Sequence, residues 1–274
     1  MRQMLQGYRA RVAFSLLLVL AEAAGQVFLP FAIGVALDDY LAGSWRGLML
    51  FILVGLATAA FATSRRLLDA RLFASVYQRA GTDASKPQVG LSEKSARLNM
   101  LREVVDFLEY SMPELIVGIG GFVGTLVFLA ALSGPVFLGA LVMAAVIVAI
   151  YAASTRRTVA FNEEYNDEFE RQIDVLRRDE VDLTRRHIGI LNGWVIRLSD
   201  IETVNHAASL CLMVALQVFA IVTSTREGMD EGALLSIVLY VFEFSASASF
   251  LPVSWQEYLR LRDILRRLGQ AEQE

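Results

Sequence analysis

Two acidic residues interrupt stretches of this sequence that are otherwise apolar for about twenty residues, and they are the first place to look for chemistry. Glu22 is followed by Gln26 four residues on and by Pro30 one turn further, where the missing N–H frees a carbonyl and allows a kink. Glu243 belongs to the series Ser236, Tyr240, Glu243 and Ser247, whose spacings of four, three and four place all of them on one stripe of a helix. An acid at the centre of a membrane-crossing helix costs roughly 2.5 to 3.5 kcal/mol, so such groups face a bundle interior or a wet cavity rather than acyl chains. The two stripes, joined by Gln217 from another apolar run, are therefore expected to line a polar route in which carboxylates attract cations or exchange protons. The competing reading is protonated glutamates hydrogen-bonded across helices as packing contacts.

Other reactive residue types carry less. His187 and His206, near Asp179, Glu180 and Asp182, match no zinc-ligand spacing and read as part of a solvated charged face, so neither a metal nor a cofactor is expected. Cys211 is the only cysteine, which excludes an intramolecular disulfide. Gly118, Gly120, Gly121 and Gly124 lie in an apolar run and read as a close-packing helix surface, not as a phosphate loop.

The elements that position these residues follow from composition. Of the 274 residues 55 % are hydrophobic, more than a water-soluble domain carries, and the excess is gathered into long runs. A helix rising about 1.5 Å per residue needs roughly twenty residues to cross a hydrocarbon layer of about 30 Å. Spans are expected near 12–37, 45–63, 113–132, 135–153, 207–224 and 232–251. The stretch 136–151 is apolar on every face, which excludes the alternating strands of an outer-membrane barrel. The first run has the flanks of a secretory signal, with Arg9 and Arg11 before it and Ala21-Glu22-Ala23 within it, but it stays apolar through Val35 and reads as a retained span.

Arginine and lysine gather before the first span and in 64–112, 154–206 and the tail after 251, which makes these segments and both termini cytoplasmic and points to the plasma or bacterial inner membrane. The net charge of −4, with no basic tail, gives no support for a nucleic-acid partner. Each inner segment reads as a helical hairpin. Phe161, Tyr165, Phe169, Ile173 and Leu176 form one apolar stripe, Leu98, Leu101, Val105 and Leu108 another, and the stretch 81–90 around Pro87 reads as a break between two arms.

Local sequence adds a resemblance. Gly90-Leu91-Ser92 through Arg97, leading into Val105-Asp106-Phe107-Leu108-Glu109-Tyr110-Ser111-Met112-Pro113, resembles the passage from the first coupling hairpin into the third span of type IV ABC exporters. Ala36-Leu37-Asp38-Asp39-Tyr40 resembles that family's first outer loop, and Leu251-Pro252 with Tyr258, Leu261, Ile264, Leu265 and Leu268 (a cytoplasmic helix over 252–268) resembles the exit from span six toward the ATPase domain. The resemblance implies an all-α membrane protein of six transmembrane helices with long cytoplasmic hairpins, forming a helix-swapped homodimer.

No G-x-x-x-x-G-K-[ST] phosphate loop occurs, so the chain is not expected to be an ATPase itself. Three functions stay open. One is a transporter or ion channel, proton-coupled or passive, favouring cationic cargo through the route lined by Glu22, Gln26, Gln217, Ser236, Tyr240, Glu243 and Ser247. Another is the membrane subunit of an ABC transporter whose ATPase is a separate chain docking at the hairpin tips near 81–90 and 180–193, with Ile190 and Trp194 as contact residues. The third is a membrane scaffold that transports nothing.

Overall fold

The structure is a computed structural model that describes residues 7–84 and 91–247, with the side chains of 83–84, 91–93 and 96–97 left aside. It is helical with no strand among the described residues. In chain order the helices are α1 (Arg9–Leu41), α2 (Arg46–Ala84), α3 (Leu91–Asp106), a π-helical turn (Phe107–Ser111), α4 (Met112–Leu132), α5 (Gly134–Glu170), α6 (Gln172–Arg177), α7 (Val181–Arg226) and α8 (231–247). Five stretches are long and apolar enough to cross a membrane: Arg9–Leu41, Arg46–Thr82, Leu98–Leu132, Gly134–Arg177 and Val181–Arg226. The sixth expected span, 232–251, is helical as far as 247. Its last residues, the expected cytoplasmic helix 252–268 and most of the expected break at 81–90 lie outside the described residues.

Contacts divide the described residues into two compact units, with 135–219 forming the second and the remainder the first. In the first, α1 and α2 run antiparallel. Their backbones approach closely where Gly47 meets Val35 and Ala36, and Gly25 meets the Thr58 side chain. α4 lies beside α1 and parallel to it, with Gly120 against Ala23 and Gly124 against Val27. The glycines expected to form a packing face thus do so at these two positions. α8 returns antiparallel along α1, and Gly34 and Gly232 bring the two backbones together so closely that neither position has room for a Cβ.

One end of this unit, near the start of α1, holds a conventional hydrophobic core. Leu72, Phe73 and Val76 of α2 pack against Val104 and Val105 of α3 and Leu108 of the π turn, with Tyr8 and Val12 closing it from the α1 side. Lipid removes most of the hydrophobic driving force between spans, but residues beyond the bilayer regain it, at about 1.5 to 3 kcal/mol for each large side chain fully buried. The π turn comes just before Pro113, which cannot donate the N–H that would bond the Glu109 carbonyl. One widened turn absorbs that gap before α4 begins.

The second unit is a long antiparallel hairpin of α5 and α7. Its rungs stay in register from end to end. Gly139 lies against Leu216 and Phe219; Asn205 donates to Ser154 at 2.8 Å; Phe161 and Trp194 have ring centroids 5.5 Å apart, with the Arg197 guanidinium 4.5 Å from the Trp194 ring; and Glu168 meets His187 at 2.7 Å. The chain reverses through α6 and a turn in which Asp179, at φ 52°, adopts the left-handed conformation that its short side chain tolerates.

The stripe expected to bury Phe161 through Leu176 is only half realised. Phe161 and Tyr165 are partly covered, while Phe169 at the end of α5 and Ile173 and Leu176 of α6, beyond the break at Arg171, are exposed.

Candidate functional site

The two membrane acids have opposite surroundings. Glu22 is only 5 % exposed and pairs with Arg65, whose Nε donates to Glu22 Oε2 at 2.7 Å. Arg65 is itself buried and reaches Asp69, one turn along α2, through Nη1 at 3.3 Å. Asp69 also accepts a hydrogen bond from the Ser15 hydroxyl, and Gln26 donates weakly to the other oxygen of Glu22 at 3.4 Å. The result is a closed network between α1 and α2 in which one guanidinium serves two carboxylates. Each buried acid has a donor, as burial of a charge demands.

The register also fixes the depth of this network. Arg65 is the first charged residue after the apolar stretch 47–64 of α2, about 28 Å from Arg46 at 1.5 Å per residue. Glu22 is level with it, nearer one end of the apolar zone than the middle that span counting suggests.

Glu243 is different. It is exposed on α8 and has no ion-pair partner among the described residues. Its Oε1 lies near Gly121 of α4, where an added Cβ would stand 3.8 Å from it, and Ser247 lies over the same glycine. The two neighbours on its stripe are turned inward instead. The Ser236 hydroxyl donates to the Pro30 carbonyl at 3.1 Å and Tyr240 donates to the Val27 carbonyl at 2.9 Å, both from fully buried positions. They fasten α8 to α1 around the proline. Asp38 does the same at the start of α8, where its carboxylate accepts the Gly232 N–H at 2.7 Å and caps the helix.

Of the residues expected to line a route, Glu22 and Gln26 are therefore together, and Ser236, Tyr240, Glu243 and Ser247 share α8. Ser247 is buried and Gln26 is exposed. Gln217 is half buried on α7 in the other compact unit.

Aromatic rings line the same junction of α1, α4 and α8. Phe122 stacks on Phe244 with centroids 5.3 Å apart, and Phe128 stacks on Tyr240 at 5.0 Å. Phe28 and Phe31 approach Phe128 within 6.2 and 5.7 Å.

With the described residues folded into helices, five stretches long and apolar enough to cross a membrane and these inter-helix contacts in place, comparison with known families is decisive. A family model described as ABC transporter transmembrane region matches residues 1–231. The chain belongs to that family. No curated protein matches it significantly. The match makes this an integral membrane protein of the transport type, and it ends in the first residue of α8. Glu243 and its stripe thus lie beyond the part of the chain that the ABC transporter transmembrane region model describes.

Among the described residues no group of three metal-ligating side chains comes together. His187 and Glu168 instead form a buried pair that ties α7 to α5, and Arg171 reaches the second Glu168 oxygen at 3.5 Å. Trp194, expected as a docking residue, is engaged within the hairpin by Phe161 and Arg197, while Ile190 is exposed.

The residues that sequence reading missed are Arg65, Asp69, Ser15 and Asp38. Arg65 carried a usable signal. An acid inside a span calls for a cation at matching depth on a neighbouring helix, and Arg65 with Asp69 at i+4 is the nearest charged pair after the second apolar run.

Proposed function

We propose that the chain is a transport protein in which Glu243 is the acidic group of the translocation route and the Glu22–Arg65–Asp69 network is the anchor that holds α1 to α2. The observation that carries this reading is the exposure of Glu243, with no counter-charge beside it among the described residues, on a helix whose neighbours Tyr240, Val241 and Phe244 are fully buried. Facing lipid, that carboxylate would cost roughly 2.5 to 3.5 kcal/mol; facing water in an enclosed route it costs little and attracts cations. Glu22 does not need such a route, because Arg65 neutralises it in place.

Two copies are needed to enclose the pathway, and a symmetric homodimer is the natural assembly. Segment 135–219, which forms a compact unit of its own, is the part that would reach across to the second copy. The termini and both hairpins face the cytoplasm, and cations are the favoured cargo.

Reconstitution of the purified protein in liposomes tests the assignment, with cation and proton flux recorded for wild type, Glu243→Gln and Glu22→Gln. Loss of flux in Glu243→Gln supports the route, and unchanged flux in that variant overturns it.

A second reading, in which a separate ATPase chain drives transport, is favoured by one feature. The hairpin tip presents a cleft of about 380 Å³ with Leu176, Val181 and Ile188 exposed and Asp179, Glu180 and Arg185 beside them. An apolar floor with a charged rim suits a docking protein. Flux that begins only when an ATPase is added, and that Leu176→Asp abolishes, identifies this arrangement.

A further inference from the structure

The network between α1 and α2 holds more acids than cations. Ser15, Glu22, Arg65 and Asp69 are each less than a tenth exposed, and one guanidinium stands against two carboxylates. With both acids ionised the cluster would carry one uncompensated negative charge away from water, and an acid in that position takes up a proton rather than stay charged.

Neighbouring side chains do not make up the difference. Arg11 of α1 and Arg66 of α2 are exposed and form no ion pair among the described residues, and Arg71 bonds the Leu67 carbonyl. Arg102 of α3 is already paired with Asp106 at 2.9 Å. From α4, which also packs on α1, and the turn before it come only further acids: Glu109, bonded to Tyr110, and the exposed Glu114.

We propose that the assembled network binds one proton, held between Asp69 and Ser15. The distances say which acid keeps its charge. Arg65 Nε stands 2.7 Å from Glu22 and Nη1 stands 3.3 Å from Asp69, and Gln26 adds a second donor to Glu22, so Glu22 is the carboxylate that Arg65 balances. The other Asp69 oxygen lies against the Ser15 hydroxyl, a group that accepts as readily as it donates. With Asp69 ionised, Ser15 donates; with the proton on Asp69, the acid donates to Ser15 and its second oxygen still accepts from Arg65. The site therefore loads without moving a helix, and the loaded network is neutral.

Because Ser15 belongs to α1 and Asp69 to α2, parting the two helices breaks the site and lets water reach Asp69. Closure of the joint takes up a proton and opening releases it. This goes beyond the anchoring role and does not depend on what Glu243 does.

Infrared difference spectroscopy of the full chain in liposomes near neutral pH tests this by counting protonated carboxyls through their C=O stretch. Wild type should show one such band that is lost in Asp69→Asn. It should be lost in Glu22→Gln as well, since Arg65 then balances the single acid that remains, while Arg65→Met should gain a second band. In detergent unfolding the folded chain holds a proton that the unfolded chain does not, so stability should fall as pH rises above the ordinary carboxylate range. The unfolding constant should grow by up to about ten-fold per pH unit, and Asp69→Asn should lose that part of the slope. A carboxyl region identical in wild type and Asp69→Asn overturns the proposal, as does a band that survives in Glu22→Gln or an unchanged pH slope in Asp69→Asn.

Cation flux that depends on Glu243 in a chain without the Asp69 band leaves the pathway reading standing and removes this one. The band together with flux indifferent to Glu243 does the reverse.

Discussion

Glu22 and Glu243 enter the sequence in much the same way, each an acid in an apolar run with a polar residue one turn away, yet the fold treats them oppositely. Glu22 is closed into a network with Arg65, Asp69 and Ser15, all of it nearly inaccessible. Glu243 is exposed and has no ion-pair partner among the described residues, while Ser236 and Tyr240 on its own stripe bond to α1 carbonyls. An acid inside a membrane helix is thus not one kind of residue. A buried cation at the same depth converts it into a structural joint, and its absence leaves a charge that water or cargo must balance.

The contrast is sharpest in the response to substitution. Arg65→Met strips the counter-charge from two buried carboxylates and should cost about 3 to 5 kcal/mol. Unfolding in mixed micelles of increasing denaturing detergent measures this, and adding Glu22→Gln and Asp69→Asn to the same chain should restore most of the loss. A mild effect of Arg65→Met would break the comparison by showing that the network is not electrostatically coupled.

Next in size is Gly232→Ala. The added methyl would press on the Gly34 carbonyl and the Asp38 carboxylate, and forcing atoms into a packed interface typically costs about 1 to 3 kcal/mol. The same unfolding titration reads it, and the displaced α8 should also reduce any function that depends on Glu243.

Tyr240→Phe removes the hydrogen bond to the Val27 carbonyl while keeping the ring stacked on Phe128, so about 1 kcal/mol is expected. The smallest effect belongs to Glu243→Gln, whose stability should stay within about 0.5 kcal/mol of wild type, as for exposed positions generally. A change in stability as large as that of Arg65→Met would mean that Glu243 is a joint as well.

Much of this was legible before the structure. The apolar runs located the five stretches that are long and apolar enough to cross a membrane, the four-three-four spacing put Ser236, Tyr240, Glu243 and Ser247 on one helix, and the stripe through Leu101, Val105 and Leu108 marked a face that is buried. What spacing cannot show is pairing between helices. Arg65 falls at the start of the cytoplasmic segment expected over 64–112, because nothing local says that the antiparallel register of α1 and α2 brings it level with Glu22, 43 positions earlier. The direction in which each member of a stripe turns was hidden for the same reason. Ser236 and Tyr240 reach α1, and Glu243 does not, because Gly34 and Gly232 set how closely and at what rotation α8 meets its neighbour.

The most direct test of the contrast is water access at the two positions. In a Cys211→Ser background reconstituted in liposomes, Glu243→Cys and Glu22→Cys variants are exposed to a small, permanently cationic thiol reagent. The Glu243→Cys variant should be modified quickly, while the Glu22→Cys variant should react at least ten-fold more slowly. Equal rates, or a position 243 that stays unmodified, would contradict the assignment of Glu243 to a wet route and of Glu22 to a closed joint.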